Sequence, residues 1–480
     1  MKRFRSAFPA FASACLAGAL VSAARPQYGG TLRIDTRATI RTLDPAASPT
    51  DAVEAAVSNR IAPLVFEPLV FVDPAGGLKP LLASSWESEG GGRRWRFRLR
   101  GGVRLHDGTP LEPWHVATSL RSVESTWNIA ADGDAIVIDL PWPQPSLPWE
   151  LNDRRHGIVV RRTPTEMMGT GPFRIDRIEA ARVWLRAHDA HWSGRPFPDV
   201  VQIEMGRSFA TQLTDLEVGR ADLIEVQPTD ARRLTERGLH VAASRPLDLF
   251  VLVFEARLAT PSSVAIRHVL AAALDRTTMC TVLLQGRAEP AEALLPAWLS
   301  GYAPAFAAPE RPPLPRSAVM GLPVDQRTLR LRVDSSDPLA RSIAERIAVD
   351  ARESGVLVTV QVPAGLAPRP DVRLVRLELD ATSPDRALAR VMAALGSRTV
   401  ALATTEPAPA PGAPIDAVLH VERALLEASI VVPVLRVPEL YGVSERVDAW
   451  DAQPAVTVTG AWNLASLWLK PPAPETRVRP

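Results

Sequence analysis

Few residues in this chain are of a type and spacing that could do chemistry. His188 and His191 form a His-x-x-His pair with Asp189 between them. On one helix face that spacing could hold a metal ion. Trp192-Ser193-Gly194-Arg195-Pro196 follows at once, which reads as a loop, so no metal site is expected. Of the two cysteines, Cys15 lies in an N-terminal apolar run. If it is removed with that run, Cys280 is left alone, which rules out an intrachain disulfide or cysteine metal site. Cys280 sits in the apolar stretch Met279-Cys280-Thr281-Val282-Leu283-Leu284 and reads as a buried thiol. There is no Gly-x-Ser-x-Gly elbow, no phosphate loop ending in Gly-Lys-Ser/Thr and no His-Glu-x-x-His helix. An exported hydrolase would lack its usual nucleophile or metal. No catalytic residue and no cofactor is expected.

Charge narrows the field further. The formal net charge is +2, so charge gives no support to a nucleic-acid partner. One local feature runs against that balance. Arg94, Arg96, Arg98 and Arg100 alternate with Trp95, Phe97 and Leu99 after the turn Gly90-Gly91-Gly92. Period-two alternation puts the arginines on one face of a hairpin strand. That row reads either as a solvated strand face or as an anion- or membrane-surface patch.

The N-terminus reads as an export signal over residues 1–24. Lys2, Arg3 and Arg5 are positive, residues 7–19 are short and apolar, and Val21-Ser22-Ala23 offers small residues for cleavage. The run is too short for a comfortable span, and Pro9 interrupts it. Ala12-Ser13-Ala14-Cys15 loosely matches a lipoprotein box, so a lipid anchor at Cys15 stays open. No later stretch is apolar for long enough to cross a bilayer.

The elements that must position any site alternate. Strands are expected at residues 31–34, 86–100 (a hairpin), 135–140, 171–175, 183–186, 249–254, 329–333, 356–362 and 431–435. Helices are expected at 51–61, 113–123, 209–218, 264–274, 339–354 and 416–427. Residues 303–323 and 404–414 are Pro/Ala-rich and read as exposed connections. Residues 471–480 read as a disordered tail. The class is α/β with mixed sheets.

A series of motifs then appears in order. Tyr28-Gly29-Gly30-Thr31-Leu32-Arg33-Ile34 precedes Thr42-Leu43-Asp44-Pro45, and Leu78-Lys79-Pro80-Leu81-Leu82-Ala83-Ser84-Ser85-Trp86 follows. Next come Val103-Arg104-Leu105-His106-Asp107-Gly108-Thr109-Pro110, Gly169-Thr170-Gly171-Pro172-Phe173 and His191-Trp192-Ser193-Gly194-Arg195-Pro196. Arg267-His268-Val269-Leu270-Ala271-Ala272-Ala273-Leu274-Asp275-Arg276 follows, and Val431-Val432-Pro433-Val434-Leu435 with Pro438-Glu439-Leu440-Tyr441 closes the series. Together they resemble the extracellular solute-binding proteins of family 5, the peptide- and nickel-binding components of ABC importers.

The resemblance implies a two-lobed periplasmic-binding-protein-like fold of the class II type, with an inserted smaller domain. Lobe I would comprise residues 28–61, 169–246 and 451–470, the inserted domain 62–168, and lobe II 247–450. A solute, an oligopeptide or similar, would be enclosed between the lobes and passed to membrane permease subunits. The protein would be periplasmic or otherwise extracytoplasmic, a monomer, and in contact with the membrane only through its transporter or a lipid anchor. Expected ligand-binding residues are Pro49, Thr50 and Asp51 on the first lobe, with Phe254, Glu255, Asp380 and Asp385 opposite. The carboxylates would hold a ligand's amino group. Departures cluster near that pocket. Only residues 124–133 link the helix near Val123 to the strand at Ala135, Glu255 stands where Asn is usual, and residues 379–385 lack an aromatic. An exported scaffold or sensor that has lost or changed ligand capture is the alternative.

Overall fold

The computed structural model describes residues 26–48, 52–73, 77–163, 166–259, 263–308, 317–333, 337–362, 369–379, 383–449 and 461–470. The expected signal segment, the Pro-rich tail and residues 451–460 lie outside them.

Four buried clusters organise the chain. One gathers Leu32, Ile34, Ile61, Phe173, Leu185 and Val201 with Tyr441, Val443, Trp462 and Leu467. A satellite to it holds Leu216, Ile224, Leu234 and Leu440. A third, built on Phe97, Val116, Ile136, Ile138 and Leu147, belongs to the inserted segment. The fourth, around Phe250, Leu252, Leu331, Ile343, Leu388, Leu425 and Val432, is the largest. Tyr441 and Val443 thus pack with Leu32, well ahead of the boundary expected at Trp450.

An 11-stranded sheet runs through the first and last of these cores. Thr31–Asp35 pairs in parallel with Val200–Glu204 and Leu223–Val226. Phe173–Glu179 and Arg182–Ala187 extend that edge as a hairpin. On the other side, Thr328–Arg332 pairs in parallel with Leu357–Gln361 and Val372–Glu378. Two long strands join the halves. His240–Phe254 runs well beyond the six-residue strand read from the apolar stretch, and Val431–Val443 lies antiparallel to it along most of its length. The last eight residues of the first strand are buried, as a strand covered on both faces must be.

Where these strands pass from one core to the other, their ladder is irregular. Pro246 lies opposite Pro438, and the register shifts on both sides of that pair. Proline has no N–H to donate, so two facing prolines remove donors from both strands. Ser244 partly repairs the gap, its Oγ accepting from the Glu439 amide at 3.0 Å.

The inserted segment forms a four-stranded antiparallel sheet, Ala83–Glu89, Arg94–Leu99, Ala135–Asp139 and Asn128–Asp132 in spatial order. The helix Pro113–Arg121 packs on it. Arg94, Arg96 and Arg98 lie on the outer face and their charge is answered locally, whereas Arg100 donates Nε to the Leu81 carbonyl at 2.8 Å and rests over the Trp192 ring. Arg94 pairs with Asp139 at 2.8 Å, Arg98 with Asp134 at 3.2 Å, and Arg96 with Asp132. It is the solvated face, neutralised by the neighbouring strands and the turn between them. The connection expected over residues 303–323 contains two short helices, Pro304–Ala307 and Ser317–Met320.

Candidate ligand-binding site

The motif residues turn out to be joints. Helix Ala52–Val65 ends against the segment that returns from the inserted domain. An added Cβ on Gly169 would lie 2.1 Å from the Val65 carbonyl oxygen, and one on Gly171 would lie 2.5 Å from that of Leu64. Only glycine permits this approach. Beside it, the buried Glu67 carboxylate accepts from Thr170 Oγ1 at 2.8 Å and from Trp192 Nε1 at 3.1 and 3.2 Å, and His191 Nε2 lies 3.1 Å away. His106 donates from Nε2 to the Gly171 carbonyl at 3.2 Å and accepts the Gly169 N–H on Nδ1 at 3.1 Å. This pattern needs a neutral ring. Burial, and then the neighbouring His188, hold its pKa down to about 3. The two histidines of the His-x-x-His pair serve this joint.

Arg267 and Arg276 bind carbonyl groups. Arg267 reaches Ala428 O at 3.2 Å, and Arg276 reaches Pro433 O at 2.9 Å. Asp44 holds Arg161 through both carboxylate oxygens at 2.9 and 2.8 Å. Cys280 is buried, and burial raises its thiol pKa to about 11, so it is a poor nucleophile.

Between the two large cores lies a cavity of about 490 Å³, within the usual range for small-molecule sites. Arg37, Ala56, Val57, Arg60, Phe209, Glu225 and Gln227 line one wall, and Asp248, Arg332, Asp337, Leu339, Arg373, Arg376 and Glu378 the other. Val437, Pro438, Glu439, Leu440 and Tyr441 of the second crossing strand form its floor. The cavity therefore sits directly over the interrupted ladder.

Its charges are largely spoken for. Arg60 pairs with Glu439 and lies 3.8 Å from Glu225. Asp337 caps the helix Pro338–Glu353, accepting from Leu339 N at 3.0 Å and Ala340 N at 3.1 Å through Oδ1. Its Oδ2 pairs with Arg376 at 3.3 Å, and Asp248 takes the other arm of that guanidinium. These two carboxylates raise the Arg376 pKa above its ordinary value against the opposing effect of burial. Just behind the first wall, Asp35 is pushed up to about 7 by burial and by Asp215.

The residues expected to bind ligand are placed as follows. Pro49, Thr50, Asp51 and Asp380 lie outside the described residues. Phe254 is in the core of the second lobe. Glu255 pairs with the cavity-lining Arg373 at 2.6 Å. Asp385 is buried and accepts from the Gly412 amide at 2.8 Å. None of these three lines the cavity, and both carboxylates are occupied. Sequence reasoning missed Arg37, Arg60, Arg332, Arg376 and Glu439. The positions of Arg332 at the end of its strand and of Arg37 just past the end of Thr31–Asp35 were the available signal.

The family model for bacterial extracellular solute-binding proteins, family 5 Middle, matches residues 77–369. A peptide transport periplasmic protein of Salmonella typhimurium is 24% identical over 368 residues, covering 65% of this chain and 67% of that protein. A nickel-binding periplasmic protein of Escherichia coli is 24% identical over 349 residues, covering 62% of this chain and 65% of that protein. The oligopeptide-binding protein AppA of Bacillus subtilis, solved with a nonapeptide, superposes with a TM-score of 0.69 at 16% identity, covering 93% of this chain and 100% of that one.

Proposed function

We propose, for a chain that belongs to the bacterial extracellular solute-binding proteins of family 5, that its two lobes capture a small peptide or comparable solute in the cleft and deliver it to an ABC permease. The observation that carries this reading is the cavity of about 490 Å³ between two cores joined by strands with facing prolines. Lobe I takes the sheet from Phe173–Glu179 to Leu223–Val226 together with residues 440–449 and 461–470. Lobe II runs between the crossings near Pro246 and Pro438. Closure turns on those crossings, where the ladder is weakest. The protein works outside the cytoplasm, as its relatives named periplasmic do. Among the described residues no helix is long and apolar enough to cross a membrane. Its role is binding, in keeping with the family's name, and most charged groups lining the cleft are held in ion pairs. Pro49, Thr50 and Asp51, immediately before the helix that carries Ala56 and Arg60 to the wall, are kept as ligand contacts.

Retention of an open cleft with polar walls favours capture over a scaffold that has lost it. Thermal-shift screening of the mature protein against di- to pentapeptide pools, sugars and nickel salts tests the reading. Ligand at 100 times its Kd should stabilise by about 2.7 kcal/mol. The absence of any shift, with nothing co-purifying by mass spectrometry, would overturn it.

A further inference from the structure

Charge pairing inside the cleft is unequal. Glu225 accepts from the Arg37 amide at 2.7 Å and lies near Arg60. Glu439 holds Arg60, while Asp248 and Asp337 share Arg376. Glu378 also has a partner. Every lining carboxylate is thus engaged by the protein itself. Two of the five lining guanidiniums are not. Arg37, on the first wall, has no carboxylate within ion-pair distance among the described residues, and its charged group rests 4.8 Å over the Phe209 ring. Arg332, at the end of strand Thr328–Arg332 on the opposite wall, has none either, and its Nε is buried with no hydrogen-bond partner.

Both arginines are half-buried on the cleft walls, and an unpaired cation partly withdrawn from water is stabilised by a group of opposite charge. Guanidinium forks match carboxylates and other planar anions in charge and geometry. The geometry points to an anionic solute, its negative group or groups held by Arg37 from one lobe and Arg332 from the other. This rests on the proposed solute capture and deepens it. A ligand ammonium, by contrast, would meet no spare carboxylate among the lining residues. Because the two cations sit on opposite walls, an anion between them would also favour the closed arrangement over the open one, since only closure brings both forks to it.

Titration calorimetry on the full mature chain tests this with five probes: trialanine, trialanine amide, an Asp-containing tripeptide, a Lys-containing tripeptide amide, and citrate. The free acids or citrate should bind, and the amides should bind at least about 10-fold more weakly. Arg37→Gln and Arg332→Gln should each weaken the anionic probes by about 10–100-fold and leave the amides within about 3-fold. Unchanged urea midpoints without ligand show that the variants fold. If Arg332→Gln does not fold, Arg332→Lys should retain part of the affinity through its charge. Amides that bind as well as free acids would overturn the anion assignment while leaving solute capture intact, as would arginine variants that bind like the parent. Citrate binding without any peptide binding would uphold the assignment and remove the peptide class. No binding by any anionic probe would overturn it.

Discussion

At the residue scale, three histidines meet at one joint: His188 Nδ1 lies 3.1 Å from the Gly171 carbonyl, His191 Nε2 lies 3.1 Å from Glu67, and His106 bonds both glycines. His106 can serve the Gly169–Gly171 joint only as a neutral ring, since one nitrogen donates and the other accepts. Its folded pKa of about 3 lies below the ordinary 6.5. Between those values the unfolded chain binds a proton that the folded chain refuses. The contribution of His106 is therefore intact above pH 6.5 and is lost as pH falls through that window. Asp35, raised to about 7, acts in the opposite sense, because the folded protein binds the extra proton between about pH 7 and 3.8. Whole-protein stability sums the two, so the test is a difference. Urea unfolding of wild type and His106→Asn at pH 7.5 and pH 5 should show the variant's deficit shrinking by about 2 kcal/mol at the lower pH. A deficit that is constant or grows would mean that the ring is not held neutral.

At the element scale, the fold depends on a few close approaches between elements distant in sequence. The end of helix Ala52–Val65 meets the returning Gly169–Gly171 segment with no room for a side chain on either glycine. Gly171→Ala should lower stability by about 1–3 kcal/mol through forced displacement of the helix end. Gly101→Ala is the comparison: nothing lies within 4 Å of its added Cβ, and its effect should stay within about 0.5 kcal/mol. Equal losses in chemical denaturation would refute the packing argument.

Those joints also show how much the sequence made legible. The His-Asp-Gly-Thr and Gly-Thr-Gly-Pro-Phe motifs, the hairpin turn and most helices are local, and their chemistry could be read from neighbouring residues. The crossing strands were only half visible. Residues 249–254 are continuously apolar, but the same strand continues through Pro246 and Arg245 back to His240, where the residue pattern gives no strand period. The cleft was the least legible part. Whether a carboxylate such as Glu255 or Asp385 is available to a ligand depends on Arg373 or the Gly412 amide, partners remote in the chain. A sequence shows the charge but not its pairing.

At the scale of the whole molecule, the inserted domain also reaches lobe II. Arg386 on helix Pro384–Leu395 pairs with Glu150 at 3.3 Å, and Arg390 pairs with Asp153. The two lobes are thus linked by the crossing strands and, through the inserted domain, by this contact. The central claim is that solute binding draws the two lobes together about those strands. Spin labels at Val218→Cys and Val349→Cys report it directly, since both positions are exposed and lie on different lobes, while Cys280 is buried at 3% exposure. The interlabel distance distribution, measured by pulsed electron resonance without and with saturating ligand, should shift to shorter values and narrow. An unchanged distribution with a ligand that calorimetry shows to be bound would contradict the account.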